Sequence, residues 1–146
     1  MKKLLASAVL TLLIAASSFA AGENKVNSKA ASNFLLEFKD AKNVNWKSTE
    51  DYVKVSFILN DKNMDAFYDL DGNKIATSSN IAMDKLSTSA KRAFAKKFAD
   101  YTFKEAIQFD GVEDTAYYIS AENEAQSLLL KVSAEGFVSV LKNVRK

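Results

Sequence analysis

The sequence feature that most restricts the fold is a helix-then-strands pattern that occurs twice along the chain. The segment Phe34–Asp40 has the form F-x-x-x-F-x-D, and Phe94–Asp100 repeats it sixty residues later. An Asp-Gly turn signal at residues 71–72 has a counterpart, Glu-Gly, at residues 135–136. Neither half is long enough to close a substantial core alone, whereas two halves can share one sheet. The spacing therefore predicts an internal duplication.

Two helices are predicted from apolar residues at intervals of three and four. The first begins near Ser28, with Asn27 or Ser28 as its cap, and runs to about Lys39. Its apolar stripe consists of Ala31, Phe34, Leu35 and Phe38. The second stripe consists of Leu86, Ala90, Ala93, Phe94 and Phe98. We expect Phe34, Phe38, Phe94 and Phe98 to join the helices to the sheet.

Alternating apolar and polar residues after each helix predict strands. The first strand contains Val44 and Trp46, and a turn is expected at residues 60–63. The remaining predicted strands are Tyr52–Leu59, Met64–Leu70, Lys74–Thr77, Tyr101–Phe109, Thr115–Ala121, Ser127–Ser133 and Phe137–Leu141. Strands grouped after helices are typical of the α+β class. We predict two tandem repeats, about 28–80 and 82–146, that form one antiparallel sheet with both helices on one face.

The start of the chain has the pattern of a secretory signal peptide. Lys2 and Lys3 precede an apolar run, Leu4–Ala16, which is shorter than the roughly 20 residues that span a bilayer. Ser18 and Ala20 provide the small residues that a signal peptidase recognises. We therefore expect residues 1–20 to be removed, residues 21–146 to form a single domain, and the product to be periplasmic or extracellular without a transmembrane anchor.

The composition argues against several functional classes. The chain has no Cys and no His, so it lacks the usual thiol nucleophile, the usual general base and the standard zinc ligands. It has 20 basic and 18 acidic residues, and the loss of Lys2 and Lys3 leaves 18 of each. A neutral domain has no global field that attracts nucleic acid. We predict no cofactor, no metal and no nucleic-acid partner.

Catalysis by the remaining side chains is the less favoured interpretation. A Ser-Lys pair stays open, but no Ser lies in a Gly-framed elbow. Counted from Asp69 as the first position of a calcium loop, Gly72 is fourth and Asn80 twelfth, which does not fit an EF-hand. Carboxylates that could form a glycosidase pair are Asp65, Asp69, Asp71, Asp110, Glu113 and Asp114. All lie among polar residues, which favours a solvated surface.

Three segments carry a resemblance to a known family. Phe38–Trp46 (FKDAKNVNW) resembles the F-P-x-A-x-x-V-x-W opening of the PepSY-like family, also known as beta-lactamase-inhibitor-like. Ala66–Ile75 (AFYDLDGNKI) resembles its A-x-F-D-x-x-G hairpin, and Ala93–Ala106 (AFAKKFADYTFKEA) resembles the helix-to-strand junction of its second repeat. The resemblance implies a secreted or periplasmic domain of two α/β repeats, and it implies binding rather than catalysis.

Aromatic residues are the candidates for a binding surface. If Met64, Ala66, Tyr68 and Leu70 face the helices, Phe67 lies on the opposite face of the sheet, and Tyr52 is placed there by the same alternation. Candidate partner-binding residues are Phe67, Tyr52, Tyr117 and Trp46, with Trp46 included only if its strand is flipped. Single exposed apolar residues without a function are the alternative.

Two functional hypotheses follow from these observations. In the first, the protein is a non-catalytic binding or inhibitory module of the cell envelope that engages a protein through the open sheet face. In the second, it is a structural or housekeeping envelope protein, or it binds a small apolar ligand in an internal cavity. An exposed contiguous apolar patch would favour the first hypothesis, and a closed internal cavity would favour a ligand binder.

Overall fold

A computed structural model describes residues 27–146, so the predicted signal peptide at residues 1–20 lies outside the described residues. The described helices are α1 (Ser28–Glu37), a short 3-10 helix (Met83–Lys85) and α2 (Thr88–Lys97). The described strands are β1 (Lys42–Ser48), β2 (Val53–Leu59), β3 (Lys62–Tyr68), β4 (Lys74–Ile81), β5 (Thr102–Gly111), β6 (Thr115–Glu122), β7 (Gln126–Ser133) and β8 (Val138–Arg145). They form an eight-stranded sheet in the order β1 to β8.

The α+β class and the antiparallel sheet are thereby confirmed, whereas the duplication and the placement of both helices on one face stay predictions. The described chain divides into two compact units. We refer to residues 27–81 and 107–116 as the N-terminal unit, and to residues 82–106 and 117–146 as the C-terminal unit.

Helix α1 begins at a capping side chain and buries a narrow stripe. The Asn27 Oδ1 atom accepts hydrogen bonds from the backbone N–H groups of Lys29 (2.9 Å) and Ala30 (3.3 Å). These bonds satisfy two donors that have no partner within a helix. Ala30 and Phe34 are buried, but Leu35 is 66% exposed, so the buried stripe does not include this member of the predicted apolar stripe. Residues four apart form the buried row here, and Leu35 lies one position outside it.

The core of the N-terminal unit is a cluster of aromatic rings under α1. Phe34 lies 5.3 Å from Trp46 and 5.0 Å from Phe57, measured between ring centroids, and both contacts are edge-to-face. Phe38 packs on Phe57 at 4.7 Å, and Trp46 packs on Tyr68 at 6.2 Å. Such geometries add about 0.5–1.5 kcal/mol per pair to the stabilisation from burial. The predicted core positions of Phe34 and Phe38 are confirmed.

The strands β2 and β3 form a hairpin with a two-residue loop. Leu59 pairs with Lys62, and the intervening Asn60 and Asp61 have φ angles of 50° and 61°. Two successive residues with positive φ match the turn type that suits the twist of a hairpin. The strands therefore turn at residues 60–61, and Lys62 already belongs to β3 instead of to the predicted four-residue turn.

The C-terminal unit packs α2 on a mainly aliphatic core. The Ser87 Oγ atom caps the helix by accepting a hydrogen bond from the Ala90 backbone N–H at 3.1 Å. Phe94 is buried, and Phe98 is half-buried and stacked on it at 5.9 Å. Strands β6 and β7 supply large aliphatic side chains to this core, of which Ile119, Leu130 and Val132 are fully buried. The predicted core position of Phe94 is confirmed, and that of Phe98 is confirmed in part.

Candidate functional site

One face of the sheet in the N-terminal unit is not covered by α1. Along β2, Val53, Val55 and Phe57 belong to the core under the helix, so the alternating residues Lys54 and Ser56 point away from it. Lys54 pairs with Phe67 and Ser56 pairs with Asp65, so these two residues of β3 lie on the same face as Lys54 and Ser56. We refer to this surface as the open face.

Phe67 contacts two other aromatic side chains on the open face. The Tyr52 and Phe67 rings lie 5.8 Å apart at an angle of 62°, and the Phe67 and Phe109 rings lie 5.5 Å apart at 48°. All three residues are only partly buried. We refer to Tyr52, Phe67 and Phe109 as the aromatic cluster. Sequence alternation placed Tyr52 and Phe67 on this face, but it gave no signal for Phe109, which reaches them from a strand about forty residues later.

A turn fixes the position of Tyr52 at the edge of the cluster. The Thr49 backbone N–H donates to the Tyr52 carbonyl at 2.8 Å, and the Thr49 hydroxyl donates to the same oxygen at 2.9 Å. The Tyr52 N–H in turn donates to Thr49 Oγ1 at 3.0 Å. These reciprocal bonds make a Thr turn that enters β2 with a defined direction. The backbone of Tyr52 is therefore fixed before the strand begins.

Charged and hydroxyl groups border the aromatic cluster. The Lys54 Nζ atom lies 3.6 Å from Asp65 Oδ1, with side-chain exposures of 15% and 22%. Ser56 Oγ donates to the same carboxylate oxygen at 2.5 Å. The carboxylate is thus paired with one cation and one hydroxyl, which makes this border electrically neutral. An arrangement of partly buried rings beside paired polar groups is typical of binding surfaces.

Two predicted site residues do not join this surface. Trp46 packs against Phe34 and Tyr68 beneath α1, so its strand is not flipped and the ring serves the core. Tyr117 is only 5% exposed and offers little contact area to a partner. The condition for including Trp46 is therefore not met, whereas the role of Tyr117 stays a prediction. An aromatic ring on a strand satisfies the same alternation whether it faces a core or a partner.

The carboxylates considered for catalysis hold turns and strand ends together. Asp69 accepts hydrogen bonds from the Asn73 backbone N–H at 2.8 Å and from the Asn73 side-chain amide at 2.9 Å. These bonds, the side-chain bond first, lower the pKa of Asp69 below its ordinary value. Asp110 accepts from Gln108 and from Thr115. Within residues 27–146, no three carboxylates come together as a metal site would require.

A second charged group lies at the end of the C-terminal unit. Glu122 forms ion pairs with Lys104 at 2.6 Å and with Lys146 at 3.2 Å. Hydrogen bonds from these two lysines hold the pKa of Glu122 below its ordinary value. The group is therefore ionised and paired, as expected of a structural ion pair rather than a general acid. No helix in the described part of the chain is long and apolar enough to cross a membrane.

Comparison with known proteins defines the fold. No protein-family model matches the chain, and no curated protein sequence matches it. The solved structures it resembles include a DUF2874 family protein from Bacteroides uniformis, with a TM-score of 0.70, 11% identity, and coverage of 82% of this chain and 89% of that chain. They also include a BLIP-like protein from Bacteroides fragilis, with a TM-score of 0.65, 12% identity, and coverage of 82% and 85%.

A third similar structure bears on location. A protein from Bacteroides eggerthii that is provisionally described as periplasmic matches with a TM-score of 0.70 and 14% identity, over 82% of this chain and 88% of that chain. At identities this low, the three likenesses show a shared fold. The fold is thus that of the BLIP-like and DUF2874 proteins, consistent with the beta-lactamase-inhibitor-like expectation from the sequence.

Proposed function

We propose that this protein is a non-catalytic binding module of the cell envelope that engages a protein partner through the aromatic cluster. The observation that carries the proposal is the contact between Tyr52, Phe67 and Phe109 on the open face, at centroid distances of 5.8 and 5.5 Å. Rings that pack on one another keep their orientation and still expose part of their surface. A partner can then bury them with little further loss of side-chain entropy.

The energetics of protein interfaces support this role for the cluster. A few aromatic anchors near the centre of an interface supply most of the binding energy, and a polar border keeps water out. Lys54 and Asp65 form such a border here, with their charges already paired. A mostly neutral border favours a partner whose contact region is apolar at its centre. The open face therefore has the composition expected of a binding surface, and it has no arrangement of groups for acid-base chemistry.

Export is the second part of the proposal. We propose that residues 1–20 direct export and are removed after Ala20, and that residues 21–146 form a PepSY-like domain of two repeats. The three sequence segments that resemble this family and the fold shared with a BLIP-like protein support the assignment. The intact mass of the exported protein tests this cleavage. We expect the mass of a chain that begins at Ala21.

The test of partner binding removes two neighbouring rings of the aromatic cluster, Tyr52 and Phe67. In the double variant Tyr52→Ser/Phe67→Ser, we expect the protein to remain folded and to lose capture of its envelope partner. A matched control, Leu35→Ser/Phe137→Ser, removes two apolar side chains that are 66% and 78% exposed elsewhere. The control should capture the partner as the parent does.

Two results of this experiment oppose the proposal. A folded Tyr52→Ser/Phe67→Ser variant that captures every protein that the parent captures would show that the open face is not the binding surface. A double variant that fails to fold would show that both rings are needed by the core, which contradicts their assignment to a surface. Circular dichroism and thermal unfolding of both double variants separate these results.

A further inference from the structure

A shallow depression of about 230 Å³ lies in the N-terminal unit beside the aromatic cluster. Apolar atoms contribute the larger share of its exposed lining, and polar side chains that carry amide, hydroxyl or carboxylate groups contribute the rest. They include Asn43, Asn63, Asn80, Ser56, Ser78 and Asp65. Its chemistry differs from that of the neighbouring rings.

Three of these groups form a row across adjacent strands. Ser56 on β2 pairs with Asp65 on β3, and Asp65 pairs with Ser78 on β4. Directly paired residues on one face of an antiparallel sheet have Cβ atoms about 4.5–5.5 Å apart. Ser56 Oγ donates to Asp65 Oδ1 at 2.5 Å, and Ser78 is 7% exposed. The row is therefore a fixed floor of hydroxyl and carboxylate groups on rigid strands.

The charge of this floor selects among ligand classes. Lys54 lies 3.6 Å from the Asp65 carboxylate, so the single negative charge is balanced. A divalent cation requires more carboxylate ligands than this, and a phosphate requires several positively charged donors. An apolar ligand would leave the amides and hydroxyls without hydrogen bonds, which is costly. A neutral ligand that carries both hydrogen-bonding groups and apolar C–H faces matches this lining.

Amide and hydroxyl side chains match one such class well. Each asparagine offers two donors and an acceptor, and each serine hydroxyl can both donate and accept. Neighbouring hydroxyl groups on a sugar ring also donate and accept, so Asn63, Asn80 and Ser78 can pair with them without a change in charge. The apolar side chains of Ile58 and Ile107 line the same depression and can contact the C–H groups of the ring.

The aromatic cluster extends the site along the strands. Phe67 follows Asp65 by two residues on β3, and Phe109 follows Ile107 by two residues on β5. Side chains two residues apart along a strand lie on the same face, about 7 Å from each other. A chain of sugar rings lying along β3 would place one ring in the depression and the next against Phe67. The electron-rich face of an aromatic ring attracts the slightly positive C–H groups of a sugar.

We propose that this depression is a binding site for a neutral oligosaccharide, with Ser56, Asp65 and Ser78 as its floor and Asn63 and Asn80 at its rim. The site adjoins the proposed protein-binding surface and shares Phe67 and the Asp65 border with it, whereas Asn63 and Asn80 belong to the depression alone. Because the site is shallow and encloses few contacts, we expect a Kd of about 1 mM.

The test is a titration of the protein with cellotriose and, separately, with chitotriose, followed by backbone amide NMR shifts. We expect either trisaccharide to shift the amides of Ser56, Asp65 and Ser78. A response to both indicates recognition of ring hydroxyls, and a response to chitotriose alone assigns the site to acetamido sugars. Absence of shifts with both at about 10 mM, or shifts of the same amides with calcium chloride or sodium phosphate instead, would overturn the proposal.

Variants separate this site from the protein-binding surface. Asn63→Ala/Asn80→Ala removes two exposed amides, and we expect at least tenfold weaker trisaccharide binding with an unchanged fold. Asn143→Ala on β8 is the matched control and should bind as the parent does. The Asn63→Ala/Asn80→Ala variant keeps Tyr52 and Phe67, so it should still capture the protein partner. Unchanged trisaccharide affinity in this variant would contradict the sugar site and leave the partner surface untouched.

Discussion

The turns that approach the N-terminal ends of α1 and α2 can be compared bond by bond. In the N-terminal unit, the Gly72 N–H donates to the Asp69 carbonyl at 3.0 Å, and in the C-terminal unit the Gly136 N–H donates to the Ser133 carbonyl at the same distance. The two glycines have φ angles of +83° and +95°. Both turns therefore use the same backbone geometry, which only glycine adopts without strain.

The capping side chains repeat the likeness. Asn27 Nδ2 donates to the Leu70 carbonyl at 2.6 Å, and Ser87 Oγ donates to the Ala134 carbonyl at 2.7 Å. Each cap thus bonds to its own helix and also to the turn that approaches it. Two different residue types perform the same two tasks, which is the local arrangement that a duplicated unit would retain. We propose that the duplication inferred from the sequence accounts for this likeness.

The two turns differ in their side-chain bonds. In the N-terminal unit, Asn33 Nδ2 donates to the Gly72 carbonyl at 2.9 Å and Lys29 Nζ donates to Asn73 Oδ1 at 2.9 Å. The C-terminal residue that corresponds to Asn73 is Phe137, whose side chain is 78% exposed. The glycine and the cap are therefore common to both turns, while the bonds from Asn33 and Lys29 are found in the N-terminal unit.

The largest expected loss in the free energy of unfolding comes from removing the phenylalanine that anchors each helix to the sheet. Phe34→Ala and Phe94→Ala each remove a ring that is at most 3% exposed, and each should lower the free energy of unfolding by about 3–5 kcal/mol. Leu35→Ala, one residue along the same helix, is the control and should change it by less than about 0.5 kcal/mol. Denaturant unfolding measures all three. A parental midpoint for either phenylalanine variant would show that its helix is anchored differently.

The next effect concerns the shared glycine. A Cβ atom at Gly72 would lie 2.8 Å from the Ala30 backbone nitrogen, and one at Gly136 would lie 2.8 Å from the Ser89 carbonyl oxygen. Together with the positive φ angles, this predicts that Gly72→Ala and Gly136→Ala each cost about 1–3 kcal/mol. Gly111→Ala is the control, because its φ is not in the left-handed region and its closest contact is 3.2 Å.

Similar losses in the two glycine variants would support the comparison between the turns. A loss at Gly72 alone would indicate that the polar bonds of the N-terminal turn, and not the glycine geometry, determine its role. If Gly111→Ala cost as much as either, the contact distances would not explain the effect. Thermal unfolding of the three variants at one pH is sufficient to decide.

The smallest expected change in the free energy of unfolding at neutral pH concerns Tyr68, in the aromatic core of the N-terminal unit. Tyr68 is fully buried, and its hydroxyl has no hydrogen-bond partner among residues 27–146. Removal of a buried hydroxyl without a partner costs little or stabilises, so Tyr68→Phe should change the free energy of unfolding by less than about 1 kcal/mol. A large loss would reveal a hydrogen bond that this account lacks.

The same residue predicts a dependence on alkaline pH. Burial, and then the negative charge of Glu37, raises the pKa of Tyr68 from 10.0 to about 12. The unfolded chain therefore loses this proton at lower pH than the folded chain does. The contribution of Tyr68 is fully present below pH 10 and is lost between about pH 10 and 12. Stability curves of the parent and Tyr68→Phe should diverge in that window and run parallel below it.

Much of the fold followed from periodicity, and the failures have physical reasons. Alternation placed Val53 and Ala66 under the helix and Phe67 on the other face, because side-chain direction in a strand depends on local geometry alone. The stripe of α1 was shifted because Ala31 and Leu35 satisfy helical spacing as well as Ala30 does. Which side of α1 is buried depends on how the helix packs on the sheet, and that packing buries the side that carries Ala30 and Phe34.

The candidate site was less accessible to sequence reasoning. Leu70 was expected at the end of a strand facing the helices, but β3 ends at Tyr68 and Leu70 is 56% exposed in the turn. Phe109 joins Tyr52 and Phe67 through strand pairing, and no spacing along the chain reports a contact of that kind. The polar floor at Ser56, Asp65 and Ser78 depends on register for the same reason.

The central claim is that the aromatic cluster meets a protein partner, and site-specific photo-crosslinking tests it most directly. A benzophenone amino acid is placed at Phe67 in one variant and at Leu35 in another, in cells that naturally express the protein. Leu35 is 66% exposed on α1, so exposure alone would favour crosslinks from that site. If the aromatic cluster meets a protein partner, we expect a discrete crosslinked protein from position 67 and none from position 35. Crosslinks from position 35 with none from position 67 would contradict it.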